Sequence, residues 1–219
     1  MLKVNKISKF YAKSNKQLKA IDNISLEIPT GDFVSIMGPS GSGKSTLLLV
    51  LGGMLTPSQG EVIIDGQSLY ELNPEKLSAL RLEKLGFIFQ TFNLIPYLSA
   101  LQNVQVPLLL KGMDSKQQID KASYLLQKVG LSERLHHEPA ELSVGQQQRV
   151  ALARMLANEP SIILADEPTG NLDPVMSEHV MEFLSALNQE GRTVVMVTHD
   201  KNVAAHAKRR LTLVNGTIV

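Results

Sequence analysis

The feature that most constrains this sequence is the loop GPSGSGKS at residues 38–45, which lies between two apolar segments. It matches the pattern G-x-x-x-x-G-K-[ST] in full. Residues 32–37 before it predict a buried strand, and the leucine-rich residues 46–51 after it predict a buried helix. Glycines let backbone N–H groups turn inward around a phosphate, and a helix N-terminus adds unpaired donors and partial positive charge. The loop therefore predicts a site for nucleotide phosphates.

Two side chains of this loop suit the phosphates and a metal ion. Lys44 is expected to reach the β- and γ-phosphates of the nucleotide. The Ser45 hydroxyl is expected to ligate Mg²⁺, which prefers oxygen ligands. A flexible Gly/Ser loop is the alternative, but a chance match in a chain of this length has a probability on the order of one in a hundred.

Composition excludes several other classes of protein. The 219 residues include no cysteine, which excludes a disulfide framework, Cys-ligated zinc and a thiol nucleophile. A formal net charge of +1 argues against a broad nucleic-acid interface, so no nucleic-acid partner is expected. The longest apolar stretch, residues 47–55, is far shorter than the roughly 20 residues that span a bilayer. No secretory signal is predicted, because the N-terminal residues carry lysines and no apolar segment.

Apolar strands alternate with helical segments along the chain. Besides the strand before the loop, runs at residues 161–165 and 193–197 are apolar throughout. Such strands are typical of a parallel sheet covered on both faces, so α/β is the expected fold class. The middle of the chain, about residues 90–160, has few β-branched runs and indicates an inserted helical subdomain. Residues 1–89 and 161–219 are then expected to form one nucleotide-binding core.

Two acids, Asp166 and Glu167, directly follow the strand at residues 161–165. In open parallel sheets, ligands bind at the carboxyl ends of the strands. Asp166 is therefore expected to hold Mg²⁺, directly or through water, and Glu167 to accept a proton from the water that attacks the γ-phosphate. The alternative is a helix N-cap, since Pro168 and Thr169 follow. The phosphate loop favours the metal and base roles.

Two more polar residues stand at predicted strand ends. His199 follows the strand at residues 193–197, where it is expected to link the γ-phosphate to Glu167. Gln90 is expected to end a strand at residues 86–89, and its side-chain carbonyl is expected to join the Mg²⁺ shell.

A further motif, LSVGQQQR at residues 142–149, resembles the LSGGQ signature of the ATPase subunits of ATP-binding-cassette (ABC) transporters. Together with this motif, the motifs described above occur in the same order as in that family, and the resemblance covers essentially the whole chain. The resemblance implies a P-loop NTPase (RecA-like) core with a parallel sheet, an N-terminal antiparallel β portion and an inserted α-helical subdomain. It also implies ATP and Mg²⁺ as ligands, and ATP hydrolysis coupled to transport.

The resemblance implies a role for each matching residue. Tyr11 matches the aromatic residue that stacks on adenine. Gln90 matches a Mg²⁺ ligand that also relays to the membrane partner, while Asp166, Glu167 and His199 match the metal-holding acid, the catalytic base and the switch histidine. The loop residues implied to bind ATP are Gly38, Pro39, Ser40, Gly41, Ser42, Gly43, Lys44, Ser45 and Thr46.

The signature residues Ser143, Gly145 and Gln146 are implied to contact ATP held by a second subunit. The signature and the phosphate loop lie on separate faces in this family, so two subunits would sandwich two ATP, with Asp173 at the interface. One complete set of motifs favours a second copy of the same chain. Val144 stands where the family usually has glycine. A β-branched residue disfavours positive φ, so either the backbone there enters the helix in the ordinary way or the site is altered; we expect the sandwich to form.

Three segments, residues 51–53, 86–94 and 168–173, resemble the ATPases of lipoprotein-release and macrolide-export systems (LolD/MacB type), with the cell-division ATPase FtsE close by. This subgroup drives membrane subunits that act as levers. The resemblance implies an integral membrane permease partner at the apolar region from Gln90 to Val104, and a peripheral location on the cytoplasmic face of the inner or plasma membrane. For each apolar side chain of this region, filling the helical core is an equal alternative.

Other functions remain open. A soluble ABC ATPase of DNA repair or translation usually carries a long coiled-coil insertion or two cassettes, and neither is present here. An FtsE-like division or signalling ATPase without cargo also fits. A GTPase is excluded by the missing N-K-x-D motif. The cargo cannot be predicted, because the membrane partner selects it.

Overall fold

The structure, a computed structural model, describes residues 1–13 and 16–219. The strands found there are β1 (Leu2–Lys13), β2 (Lys16–Ile28), β3 (Phe33–Met37), β4 (Gln59–Ile64), β5 (Gln67–Ser68), β6 (Leu85–Ile88), β7 (Ile162–Asp166), β8 (Thr193–Thr198), β9 (Arg209–Val214) and β10 (Thr217–Ile218). The α-helices are α1 (Lys44–Leu51), α2 (Pro74–Lys84), α3 (Ala100–Leu110), α4 (Ser115–Lys128), α5 (Val144–Leu156), α6 (Pro174–Gln189) and α7 (Lys201–Ala205). Short 3₁₀ turns occupy Leu69–Glu71, Ser132–Arg134 and Pro139–Glu141.

The central sheet has the strand order β10-β9-β3-β8-β7-β6. Its strands β9, β3, β8, β7 and β6 pair in parallel, and β10 adds an antiparallel edge strand through a terminal hairpin. The turn of that hairpin, Asn215 and Gly216, has positive φ at both residues, which matches the right-handed twist of the strands. The α/β fold class predicted from the apolar strands is confirmed.

Both faces of the central sheet are buried. In β7, Ile162 and Leu164 belong to the apolar core shared with α1 and the antiparallel sheet. Ile163 and Ala165, which alternate with them, belong to a second core shared with α3, α4, α5 and α6. Burial of an aliphatic side chain contributes roughly 1.5–3 kcal/mol, so the continuous apolar strands stabilise the contacts of both layers.

A second sheet of four antiparallel strands has the order β2-β1-β4-β5. Its presence confirms the N-terminal antiparallel portion implied by the family resemblance. Two backbone hydrogen bonds tie this part of the chain to the end of the central sheet: the N–H of Asp22 donates to Gly216 O, and the N–H of Gly216 donates to Ser42 O. The β1–β2 hairpin is thereby held against the loop between β3 and α1.

Helices α3, α4 and α5 pack on one another in the middle of the chain. The limits predicted for a helical subdomain, about residues 90–160, stay a prediction. Helix α2, which the sequence analysis did not assign, begins at Pro74 behind an Asn73 cap whose side chain accepts from the N–H of Lys76. The Asn-Pro pair was the available signal, because asparagine caps helices and proline suits the first turn. No helix in the described part of the chain has the length and apolar character needed to cross a membrane.

Candidate active site

The strand order brings the predicted site residues to one edge of the central sheet. The neighbouring strands β3, β8, β7 and β6 run parallel, so their carboxyl ends lie side by side. The loop at residues 38–43 follows β3, His199 follows β8, and Glu167 follows β7. The strand predicted at residues 86–89 is displaced by one residue, and Gln90 lies two residues beyond the end of β6 rather than in it.

A cavity of about 790 Å³ opens at this edge. The predicted residues that line it are Tyr11, Pro39, Ser40, Gly41, Gly43, Lys44, Ser45, Thr46, Gln90, Glu167 and His199. The cavity therefore brings together an anion-binding loop, a carboxylate and a histidine from three separate segments of the chain. Gly38 and Ser42 do not line it, although both belong to the loop: Gly38 supplies a backbone carbonyl to Lys44, and Ser42 is buried.

The N-terminus of α1 is free to bind an anion. Its N-cap, Gly43, has no side chain, and its first turn contains no acidic residue. Every other α-helix among the described residues has a capping side chain that accepts from its first turn. The orphan N–H groups and the helix dipole of α1 thus point into the cavity, where they can donate to a phosphate.

The Lys44 side chain turns back toward the start of the phosphate loop. Its Nζ donates to the carbonyl oxygens of Gly38 at 2.8 Å and Pro39 at 3.1 Å, and the residue is 8% exposed. Both carbonyls are neutral acceptors, so a phosphate in the cavity would offer the ammonium a stronger, charge-assisted bond.

Ser45 and Asp166 form a cluster of oxygen atoms beside the loop. The Ser45 hydroxyl donates to Asp166 Oδ1 at 3.0 Å. Burial raises the pKa of the Asp166 carboxyl, while the Ser45 hydrogen bond opposes the rise and the nearby Glu167 adds to it. A carboxylate whose charge is costly in this way would gain from a cation beside it.

Hydroxyl, carboxylate and amide oxygens are the ligands that Mg²⁺ takes, and Ser45, Asp166 and Gln90 supply that set. Across the described residues, no group of three or more His, Cys, Asp or Glu side chains is arranged to hold a metal. The three oxygen donors named above fit Mg²⁺, which usually takes one or two protein carboxylates and completes its shell with substrate phosphates and water.

Glu167 and His199 are in contact. His199 Nδ1 lies 3.0 Å from Glu167 Oε1, and the backbone N–H of His199 points to Oε2 at 3.4 Å. Glu167 has a left-handed φ of 45°, and its N–H donates to Val197 O on the adjacent strand. Non-glycine residues in this conformation store strain and occur often at functional sites. No helix begins at Pro168, so the helix-cap alternative for the two acids is wrong; the next helix, α6, is capped by Asp173.

The Gln90 segment is linked to the loop that follows Glu167. Asn171 Nδ2 donates to the backbone oxygen of Gln90 at 2.8 Å. The Gln90 side chain lies so close to Gly170 that a Cβ there would meet Gln90 Nε2 at 2.8 Å.

Tyr11 lies at the other end of the cavity, on β1. It pairs across the antiparallel sheet with Leu18 of β2, and both side chains are exposed to the cavity mouth. The sequence analysis missed Leu18, Lys19 and Ala20, which complete this end of the lining. No motif marks them, and only the β1–β2 register brings them to the site.

The signature residues do not line this cavity. Ser143 caps α5: its Oγ accepts from the N–H of Gln146, whose side chain accepts in return from the N–H of Ser143. Val144 is the first residue of α5 and is not among the non-glycine residues with positive φ, so the backbone enters the helix in the ordinary way. Gly145 faces Met176 on α6, because a Cβ there would lie 3.1 Å from its terminal methyl.

Comparisons with known proteins agree with this geometry. A family model described as "ABC transporter" matches residues 21–170. The chain is 46% identical over 219 residues to the macrolide export ATP-binding/permease protein MacB of Hyphomonas neptunium, a match that covers 100% of this chain and 34% of the relative. It is 48% identical over 223 residues to the ABC transporter ATP-binding protein MJ0796 of Methanocaldococcus jannaschii, covering 100% of this chain and 95% of the relative.

A solved structure agrees as well. A dimeric post-hydrolysis state of the ATP-binding cassette MJ0796, bound to ADP and Pi, matches this fold with a TM-score of 0.94 at 45% identity. The match covers 100% of this chain and 96% of that chain. The chain thus spans nearly the full length of MJ0796 and about a third of the length of its MacB relatives.

Proposed function

The chain belongs to the ABC transporter family, and we propose that it is an ATP-binding and ATP-hydrolysing unit that powers a membrane partner. The observation that carries this proposal is the single cavity lined by the phosphate loop, Gln90, Glu167 and His199. It supplies a place for the triphosphate, a carboxylate for the attacking water and a histidine to orient that carboxylate.

Binding begins with the triphosphate. The free N–H groups at the start of α1 donate to the phosphate oxygens, and Lys44 exchanges its two carbonyl acceptors for the β- and γ-phosphates. Tyr11 and Leu18 give the base an apolar platform at the cavity mouth. Stacking on such a platform contributes without any hydrogen bond to the base edge.

Ser45, Asp166 and Gln90 are the residues that would hold Mg²⁺ beside the phosphates. When bound, the ion neutralises charge on the β- and γ-phosphates. Asp166 is half-buried and already receives the Ser45 hydroxyl, so both oxygens are oriented toward one another before the nucleotide arrives.

Hydrolysis needs a proton acceptor for the attacking water. Glu167 accepts that proton as the water oxygen bonds to the γ-phosphorus and the bond from this phosphorus to the β–γ bridging oxygen breaks. With a proton on Nδ1, His199 donates to Glu167 Oε1 and keeps the carboxylate in position. The imidazole is largely exposed, and Nε2 can donate to a γ-phosphate oxygen when it carries a proton as well.

A second copy of the chain would complete the site. Ser143, Gly145 and Gln146 lie outside the cavity in this chain, so they contribute only if another subunit presents them. The Ser143 hydroxyl accepts from Gln146 within its own helix and still has its proton to donate to a γ-phosphate. The dimeric form of the related MJ0796 cassette supports the presence of a second copy. Asp173, which caps α6, is proposed to lie near the contact between the two copies.

The membrane partner is proposed to contact the segment from Gln90 to Val104. Tyr97 there is 74% exposed, whereas Leu101 and Val104 are buried in the helical core. Permease-linked relatives of the MacB type support an exporter or lipoprotein-release system as the setting, which implies a location on the cytoplasmic face of the membrane.

The catalytic role of Glu167 is tested by the variant E167Q. We expect ATP binding to persist and turnover to fall by roughly 10²–10⁴-fold, because general-base catalysis contributes that much. Phosphate release gives the turnover rate, and acid-quenched samples show whether the bound nucleotide is ATP. E159Q is the matched control, since Glu159 pairs with Lys121 on the surface and should keep the parental rate. Parental turnover in E167Q would contradict the assignment.

The partner is tested by purifying tagged E167Q protein with ATP from detergent-solubilised membranes and identifying the bound proteins by mass spectrometry. A membrane protein with few spans and a large extracytoplasmic domain is expected for the lever-type system. A partner with many spans would keep the transporter class and exclude this subgroup. Only soluble or nucleic-acid complexes would favour an ABC ATPase of DNA repair or translation, and a division complex would favour an FtsE-like role.

A further inference from the structure

Arg154, near the C-terminal end of α5, binds the segment that follows Gln90. Its Nη1 donates to Asn93 O and its Nη2 to Phe92 O, both at 2.6 Å. The Arg154 side chain is partly buried, and this burial lowers the pKa of its guanidinium. Within residues 1–13 and 16–219, no carboxylate lies within ion-pair distance of Arg154, and its guanidinium donates to the two carbonyls instead.

The two carbonyls belong to residues whose backbone conformation is unfavourable. Phe92 has a φ of 60° and Asn93 a φ of 50°, so two consecutive non-glycine residues are left-handed. The left-handed conformation is disfavoured for L-residues, and runs of it need an outside constraint. The planar fork of an arginine, which binds both carbonyls at once, supplies that constraint.

This turn fixes the chain on one side of Gln90. The N–H of Phe92 donates to Phe89 O, and the Phe92 ring is buried, so residues 89–93 form one compact unit. Asn171 holds the carbonyl of Gln90 itself at 2.8 Å. The Gln90 side chain lines the cavity, and the backbone that follows it is held by these two contacts.

We propose that Arg154 is a positioning residue for catalysis: it holds the turn at residues 91–93 so that the Gln90 side chain stays in the nucleotide cavity. This inference rests on the proposed function, because it acts through Gln90. It also gives the signature helix α5 a direct link to the Gln90 segment. A movement of α5 on contact with a second subunit would reach the active site through this guanidinium.

Arg149 provides a matched control on the same helix. Its guanidinium also binds backbone carbonyls, with Nη1 donating to Val129 O at 3.1 Å and Nε to Gly145 O at 3.4 Å. These partners lie at the end of α4 and in α5, away from the Gln90 segment. Loss of Arg149 therefore removes a comparable buried contact without releasing the turn.

The test is a double-mutant cycle of R154M with Q90A, beside R149M with Q90A, measured as kcat and KM for ATP. A displacement of about 1 Å in an active site costs on the order of 100-fold in rate, so R154M is expected to lower kcat by roughly 10- to 100-fold. KM should change little, because the phosphate loop is intact. In the Q90A background, R154M should lower kcat by less than about twofold further, whereas R149M should act equally in both backgrounds.

Hydrogen exchange gives a readout that does not depend on turnover. Deuterium uptake in a peptide covering residues 88–96 should rise in R154M and stay at the parental level in R149M. R154K guards against a folding defect: its ammonium keeps the charge but cannot fork across two carbonyls, so an intermediate kcat and intermediate uptake are expected.

The outcomes separate this inference from the proposed function. Equal losses of kcat from R154M with and without Gln90, or unchanged exchange at residues 88–96, would overturn the positioning role. Parental kcat in Q90A would also overturn it, since Arg154 would then have nothing to act through, while the ATPase proposal would stand. A parental chain that does not hydrolyse ATP would instead remove the proposed function.

Discussion

Gly43 is the residue at which the phosphate loop becomes helix α1, and its φ is 103°. A Cβ on Gly43 would lie 2.1 Å from the carbonyl oxygen of Ala20 on β2. Glycine is therefore required here for two reasons: the backbone is left-handed, and the neighbouring strand leaves no room for a side chain. The same close approach brings β2 to the cavity, where Leu18 and Lys19 join its lining.

We predict that G43A loses ATP binding and is strongly destabilised. The left-handed conformation costs roughly 1–2 kcal/mol for alanine, and the contact with Ala20 adds to that cost. G66A is the matched control, because Gly66 has a φ of 83° but no atom near its missing Cβ. Urea unfolding of both variants, with ATP binding measured in parallel, compares the two costs. Equal losses of unfolding free energy in G43A and G66A would show that the approach of β2 is unimportant.

Several site residues were predictable because the chemistry is coded in residue type and position. Asp166 is the last residue of β7, and Glu167 and His199 directly follow β7 and β8, so the strand pattern alone indicated where they would lie. The predicted position of Gln90 was less accurate, because β6 ends at Ile88 and a turn carries the glutamine side chain into the cavity. The carbonyls of that turn bind the partly buried Arg154, which is 64 positions from Gln90 along the chain, and local sequence contains no signal for such a contact.

At the scale of elements, helix α1 differs from the others in how its two ends are satisfied. Its N-terminus has no capping side chain and faces the nucleotide cavity. Its C-terminus is held by Tyr70, whose hydroxyl lies 2.6 Å from Val50 O and 2.8 Å from Leu55 O. The tyrosine thus fixes the far end of the helix whose near end binds phosphate.

Replacing this tyrosine tests the anchor. Y70F should lower the free energy of unfolding by about 1 kcal/mol, because a buried carbonyl loses its donor. Y124F is the control, since Tyr124 is an exposed residue of α4 and should change little. Thermal or urea unfolding at neutral pH provides the comparison, and a Y70F protein as stable as the parent would contradict the role.

The difference in unfolding free energy between the parental protein and Y70F is expected to depend on pH. Burial raises the pKa of the Tyr70 phenol above its usual range, so the folded protein keeps this proton to higher pH than the unfolded chain does. As pH rises above the unfolded value of about 10, only the unfolded state ionises, and the parental protein loses stability. Y70F has no phenol to ionise and does not lose stability in this way. The difference in unfolding free energy between the parental protein and Y70F should therefore shrink above that pH.

At the scale of the whole molecule, the carboxyl end of the central sheet and strands β1 and β2 of the antiparallel sheet meet around one cavity. The alternation of apolar strands and helices predicted the α/β class, since strands buried on both faces need cover on both sides. The strand order did not follow from it, because pairing between β3 and β8 joins segments about 160 residues apart. Leu18, at the end of the cavity proposed for the nucleotide base, was missed for another reason: it reaches the cavity through the β1–β2 register, and no motif marks that register.

The molecule by itself presents half of the proposed catalytic site. The phosphate loop and Glu167 line the cavity, whereas Ser143 and Gly145 begin a helix outside it. The central claim is therefore that ATP joins two copies of this chain and that Glu167 ends the joined state by hydrolysis.

The most direct test is the mass of E167Q protein in solution, measured by light scattering without nucleotide, with ADP and with ATP in the presence of Mg²⁺. We predict the monomer mass without nucleotide and with ADP, and twice that mass with ATP, because only the γ-phosphate reaches the second subunit's signature residues. Adding the substitution S143R should prevent the doubling while leaving ATP bound. A monomer mass for E167Q with ATP bound at saturation would contradict the claim.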